Sequence, residues 1–261
     1  MPTRTEPEPL SKRLRTADGD LKLAPYLMAG HPNLARSAEA GRRLATSGVA
    51  ALELGIPFSD PLADGPVIQR AGQVALEHGM SMARALDLAA DIAEEGGAPI
   101  VLMTYVNPVL AYDPRRFAAD AAQAGVAGVI FPDLPAEEAE PVAGWIRSVG
   151  LDVIFLVAPT TSEERVRSIC AASTGFVYCV TLTGITGMRH ELPPALDSLL
   201  TRVRDCTALP IAAGFGISRP EHLLALRGLA DAAVVGSAVV AELDAGRDPA
   251  VLVRELLRVC R

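Results

Sequence analysis

Aromatic residues make up only 4% of the chain, so its core must be built from Ala, Val, Leu and Ile rather than from large rings. Such a composition suits parallel strands covered by Ala-rich helices. Cysteine is equally sparse. Cys170, Cys179, Cys206 and Cys260 form no C-x-x-C pair, which argues against a disulfide framework or a zinc site and for reduced thiols. The four histidines, His31, His78, His190 and His222, lack any metal-ligand spacing and read as solvated or loop residues. There is no G-x-S-x-G elbow, no P-loop and no complete dinucleotide fingerprint. No basic run marks a nucleic-acid face. The net charge of −7 favours solubility, so an anionic ligand would have to be held by local groups. No apolar run approaches the ~18 residues needed to span a bilayer, and Met1 to Pro9 is rich in Pro and Glu with no apolar stretch. The expectation is a protein without signal peptide or membrane span, residing in the cytoplasm.

What the chain does have is alternation. Eight short apolar runs recur: Leu23–Ala29, Ala50–Leu54, Pro99–Tyr105, Val126–Phe131, Asp152–Val157, Phe176–Val180, Leu209–Ala213 and Ala232–Val235. Each is bounded by Gly, Pro, Asp or Ser, as strands are. Helical patterns separate them: Leu34–Ser47, Met80–Glu95, Pro114–Ala124, Glu137–Val149, Ser162–Ala172, Ala195–Cys206, Arg219–Leu226 and Pro249–Val259. Strict strand–helix alternation implies parallel pairing through right-handed crossovers. Eight units in 261 residues fit one (β/α)8 TIM barrel, a fold of about 250 residues. Leu10 to Asp18 reads as an extra N-terminal helix. Residues 1–9 read as a disordered extension and 10–261 as the barrel domain. Two connections are overlong, Gly55 to about Gly79 after strand 2 and Leu182 to about Pro194 after strand 6. Loops after strands carry the chemistry of this fold, and long ones are usually functional.

Glu53 lies inside an apolar run, Ala50–Gly55. Turned inward, it would be desolvated, with a raised pKa suited to acid–base work. Turned outward, it would pair with a Lys or Arg; position alone does not choose. Asp60 and Asp64 sit in Phe58–Pro66, where Asp-Pro and Asp-Gly also make ordinary turns. Yet one strand end and one loop separate Glu53 from Asp64, so the two carboxylates can converge on one pocket. Gly184–Gly187, Gly214–Ser218 and Gly236-Ser237 follow strands 6, 7 and 8. Any one such motif is ordinary turn chemistry. Together they favour a phosphate held by backbone amides and a helix N-terminus.

The run Leu52–Gln69 (LELGIPFSDPLADGPVIQ) resembles the signature of the tryptophan synthase α-subunit family. Met103–Pro108, Pro132–Pro135, Phe155–Thr160, Gly184–Gly187 and Gly214–Ser218 match in the family's order, so the likeness runs from about Leu21 to Val240. It implies a retro-aldol lyase that splits indole-3-glycerol phosphate into indole and glyceraldehyde 3-phosphate. It carries the catalytic residues to Glu53 and Asp64, and substrate contacts to Tyr26, Tyr105, Tyr178, Thr186 and Phe215. Phosphate contacts fall on Gly187, Gly216, Gly236 and Ser237. It implies no metal and no cofactor on this chain, with pyridoxal phosphate (PLP) expected only on a partner β-subunit in an αββα heterotetramer. Leu182–Leu192 is expected to close over the substrate, Thr186 bonding Asp64. The chain departs from the family at His31, often Asp there and near the subunit interface, and at Leu182, commonly Arg. A stand-alone indole-releasing lyase and a catalytically weak paralog that acts as allosteric partner are the other readings of the same residues.

Overall fold

A computed structural model describes residues 8–16, 19–180, 195–214, 216–217 and 219–260. Eight strands close into a parallel barrel in sequence order: β1 (Lys22–Met28), β2 (Leu52–Gly55), β3 (Ile100–Met103), β4 (Val126–Phe131), β5 (Asp152–Val157), β6 (Val177–Val180), β7 (Ile211–Gly214) and β8 (Ala232–Val235). β1 pairs with both β2 and β8, which seals the ring. Both faces of such a sheet are covered, so the strands read as nearly continuous apolar runs rather than alternating ones. Burial is close to complete along them. Phe117, Phe131, Phe155 and Phe176 are fully buried; most of the remaining core is aliphatic and Ala.

The helices follow from amphipathic stripes and local caps. Asn33 caps Leu34–Ala45 by accepting from the Arg36 N–H, and Ser81 and Ser162 do the same for Met82–Glu94 and Glu163–Ala172. The short N-terminal helix, Leu10–Leu14, sets two fully buried leucines against the barrel's N-terminal end. Leu10 reaches Gly128 of β4, where an added Cβ would lie 3.0 Å from the leucine.

Three helices were not expected. The connection after β2 is not one long loop, because Pro66–Glu77 within it is helical, with Pro at the helix start. Val106–Tyr112 and Ser237–Asp244 also form helices. The stretch Glu137–Val149 is two elements, a 3-10 turn at Ala136–Glu138 and a helix at Glu140–Ser148. Pro141 fits only a helix's first turn, so the second element starts there. The connection after β6, 181–194, lies outside the described residues.

Two of the histidines are not solvated. His31 and His222 are both buried, at 3% exposure, whereas His78 is exposed. His31, on the turn after β1, reaches Asp244 of this same chain. All four cysteines are free, and Cys170, Cys179 and Cys260 are buried. No described helix is long and apolar enough to cross a membrane.

Candidate active site

The strand register places Glu53 beside Tyr26 of β1 on one side and Val101 of β3 on the other. Its side chain points into the barrel and is 1% exposed. Neither carboxyl oxygen has a hydrogen-bond partner among the described residues, and no cation offsets the burial. Desolvation alone therefore pushes its pKa well above the ordinary 4.5. The outward, ion-paired arrangement is ruled out.

Asp64 is held by its loop. Its N–H donates to the Pro61 carbonyl at 3.1 Å, so a turn is present as Asp-Gly suggests. The Gln69 amide donates to the Asp64 carbonyl at 2.9 Å and braces the loop from the first turn of Pro66–Glu77. The Asp64 side chain faces the same cavity as Glu53. Burial raises its pKa to about 6, against a hydrogen bond from the Tyr105 hydroxyl that lowers it. The two acids thus share a cavity but not an environment: Asp64 accepts a hydrogen bond that lowers its pKa and Glu53 accepts none, a difference suited to dividing acid and base roles between them.

Tyr26 and Tyr178 complete the floor. A Cβ on Gly55 would overlap the Tyr26 hydroxyl, and one on Gly214 would overlap the Tyr178 hydroxyl. The glycines at the ends of β2 and β7 are therefore seats for the two phenols. Both phenol pKa values are raised, first by burial and then by the nearby Glu53 and Asp64 charges, which places all four groups in one neighbourhood.

The start of Ser237–Asp244 lines the same cavity, following β8, two strands round the barrel from Glu53. Gly236 precedes it and supplies no side-chain cap to the first-turn amides, and Gly236 and Ser237 line the cavity. Gly216 lines the same wall, with φ +84°, a backbone that L side chains rarely adopt.

Seven of the expected residues therefore converge: Glu53, Asp64, Tyr26, Tyr178, Gly216, Gly236 and Ser237. Tyr105 stands behind the wall. It accepts from the Ala63 N–H at 3.0 Å, hydrogen-bonds Asp64 and packs on Phe58, with ring centroids 5.3 Å apart. Thr186, Gly187 and Phe215 lie outside the described residues. Sequence reasoning missed Met103 and Ile68, which add apolar walls. Met103 is in register with Gly55, so strand pairing would have found it; Ile68 rides on the unexpected helix.

A closed barrel with a buried, unpaired carboxyl and amide-rich outlets at its last strands defines a (β/α)8-barrel enzyme. The sequence model described as Tryptophan synthase alpha chain matches residues 13–261. The chain is 46% identical to the tryptophan synthase alpha chain of Carboxydothermus hydrogenoformans, over 85% of this chain and 83% of that one. It is 44% identical to that of Prochlorococcus marinus, over 94% and 89%. A chain of tryptophan synthase from M. tuberculosis superposes with a TM-score of 0.88 at 35% identity, covering 97% of this chain and 99% of that one. The chain belongs to the tryptophan synthase alpha chain family. As a member it is a carbon–carbon lyase that cleaves indole-3-glycerol phosphate in tryptophan biosynthesis. The family implies a beta-subunit partner, and PLP resides on that subunit. The stand-alone and weak-paralog readings are not favoured by these likenesses.

Proposed function

We propose that Glu53 is the acid–base catalyst of the cleavage and Asp64 its electrostatic partner. The single observation behind this is the Glu53 carboxyl, buried in the cavity with no hydrogen-bond partner among the described residues. Burial favours the protonated form of such a group, which has no competing use for its proton. Indole leaves as a carbanion equivalent, so carbon 3 must first be protonated. Protonated Glu53 gives that proton, and the indole ring becomes an indoleninium cation. The resulting carboxylate then takes the proton of the adjacent side-chain hydroxyl. As the carbon–carbon bond breaks, its electron pair returns to the ring and the hydroxyl carbon becomes the aldehyde. Asp64, ionised above about pH 6, accepts a hydrogen bond from the indole N–H and stabilises the positive charge where it develops.

The phosphate sits on the amides of Gly216, Gly236 and Ser237, with Gly187 as a further donor. The N-terminal end of a helix favours an anion there. Tyr26, Tyr178 and Phe215 line the pocket, while Tyr105 positions Asp64. The Leu182–Leu192 segment closes over the substrate, Thr186 bonding Asp64, and excludes water. The working assembly is an αββα heterotetramer with the PLP-dependent β-subunit, in the cytoplasm.

Glu53→Gln tests this reading. Indole release should fall by about a thousandfold, with the circular-dichroism spectrum retained. Turnover near that of the unsubstituted protein would remove Glu53 from the chemistry.

A further inference from the structure

The helix whose first turn lines the phosphate end of the cavity ends at Asp244, and that ending is electrostatically adverse. A carboxylate there adds to the partial negative charge of the helix C-terminus, and no basic residue lies in the last turn. The only buried group that meets it among the described residues is His31. The imidazole is 3% exposed, and its Nε2 lies 2.8 Å from Asp244 Oδ1 across 213 positions of sequence. A carboxylate can only accept, so Nε2 carries the proton. The other ring nitrogen, Nδ1, is buried with no partner among the described residues, so Asp244 alone orients the ring.

His31 belongs to the turn that leaves β1. That turn is itself fixed: the His31 N–H donates to the Met28 carbonyl at 3.2 Å, and the Gly30 N–H to Ser37 Oγ at 3.0 Å. β1 carries Tyr26, and a Cβ on Gly236 would lie 3.5 Å from the Tyr26 Cβ, so strand and helix start are in close contact. Ser237–Asp244 also packs on Pro66–Glu77, the helix that follows the Asp64 loop. The helix is thus seated between β1, which carries Tyr26, and the helix that follows the Asp64 loop, and His31–Asp244 holds its far end. The neighbouring struts, Arg36 to the Gly246 carbonyl and Arg43 to Asp248, are surface contacts, a kind that contributes little.

We infer that His31 and Asp244 are positioning residues for phosphate binding: they set the axial placement of the Ser237–Asp244 helix, and hence of its first-turn amides. This rests on the reading that those amides hold the phosphate. Losing the strap lets the helix slide, which weakens the grip on the phosphoester while leaving the acids in place. Asp244 is half exposed, so its replacement does not empty the core.

The test compares Asp244→Ala and Asp244→Asn with the unsubstituted chain in the complex with its β-subunit. Asp244→Ala should raise KM for indole-3-glycerol phosphate about fivefold, with kcat within about twofold. The dissociation constant of glycerol 3-phosphate should rise in parallel, and that of phosphate-free 3-indolepropanol should not. Asp244→Asn should restore most of the affinity, because its amide oxygen still accepts from Nε2. An equal loss for both ligands, or a loss in kcat without one in KM, overturns the inference. Amide NMR shifts on adding glycerol 3-phosphate to the unsubstituted α-chain separate the two readings. No shift at Gly236 and Ser237 defeats the phosphate assignment. Shifts there, with unchanged affinity in Asp244→Ala, defeat the strap alone.

Discussion

Among the described residues two acids are buried in this barrel, and the protein treats them in opposite ways. At the N-terminal end of β8, Asp231 is 6% exposed and fully engaged. It accepts from the Arg204 guanidinium and from the Ile211 N–H at 2.8 Å, with the Thr16 hydroxyl nearby at 3.5 Å. At the other end, Glu53 of β2 is 1% exposed and meets no donor among the described residues. The first arrangement uses a charge to fix strands, a helix and the N-terminal segment together. The second leaves a polar group without compensation, which costs stability. A barrel can hold such a group because the remaining structure over-determines its position. The division follows the fold: one end serves stability, the other chemistry.

Replacing each acid should break the comparison in a distinct way. The largest effect is on turnover. Glu53→Leu should abolish indole release, by about a thousandfold or more, and yet raise Tm by a few degrees, because an unsatisfied carboxyl is replaced by an apolar side chain of similar size. Thermal melts and an indole assay on one preparation check both halves. Asp231→Ala should do the reverse. It leaves the Ile211 N–H without its acceptor and takes the ion pair from Arg204, which keeps the Leu209 carbonyl at 3.3 Å; the cost is about 1–3 kcal/mol, or roughly 2–12 °C in Tm for a chain of this size. Turnover per folded molecule at low temperature should persist.

Smaller effects sharpen the picture at the catalytic end. Gly214→Ala would push on the Tyr178 hydroxyl, at about 1–3 kcal/mol of overpacking. A urea titration should show the lower midpoint, and Tyr178→Phe in the same chain, which removes the hydroxyl that the new methyl meets, should recover part of it. The smallest effect concerns pH. Asp64 has a folded-state pKa of about 6 against an ordinary 3.8. The folded chain therefore binds this proton more tightly than the unfolded chain does. That contribution is complete below about pH 4 and is lost as pH rises through about 6. Asp64→Asn should remove this part of the pH dependence, seen as a flatter stability curve between those limits. In the unsubstituted enzyme kcat/KM should fall below about pH 6 as Asp64 loses its charge.

How much of this was legible in the sequence depended on the kind of signal. The strands were, because a buried parallel strand is an apolar run cut off sharply by Gly, Pro or Asp, and register is then fixed by closure. Val126–Phe131, Asp152–Val157 and Ala232–Val235 hold to the residue. The glycines after helices were too: Gly48, Gly96, Gly125, Gly150 and Gly228 all have positive φ. The helices Pro66–Glu77, Val106–Tyr112 and Ser237–Asp244 were hidden by context. The first lies in a connection whose length suggested a loop, the second is short and contains Pro108, and the third holds paired β-branched valines directly after a glycine turn. At the site, the identities of Glu53 and Asp64 were readable, but the direction of the Glu53 side chain was not. It depends on pairing with Tyr26 and Val101, residues far away in sequence. His31 was misjudged for the same reason, since its partner is 213 positions distant.

The central claim is that uncompensated burial makes the Glu53 carboxyl hold its proton well above the ordinary carboxylate range. Carbon-13 NMR titration of the Glu53 side-chain carboxyl, assigned by its loss in Glu53→Gln, measures this directly. The account predicts a midpoint well above the ordinary 4.5. A carboxyl titrating near 4.5 would contradict it.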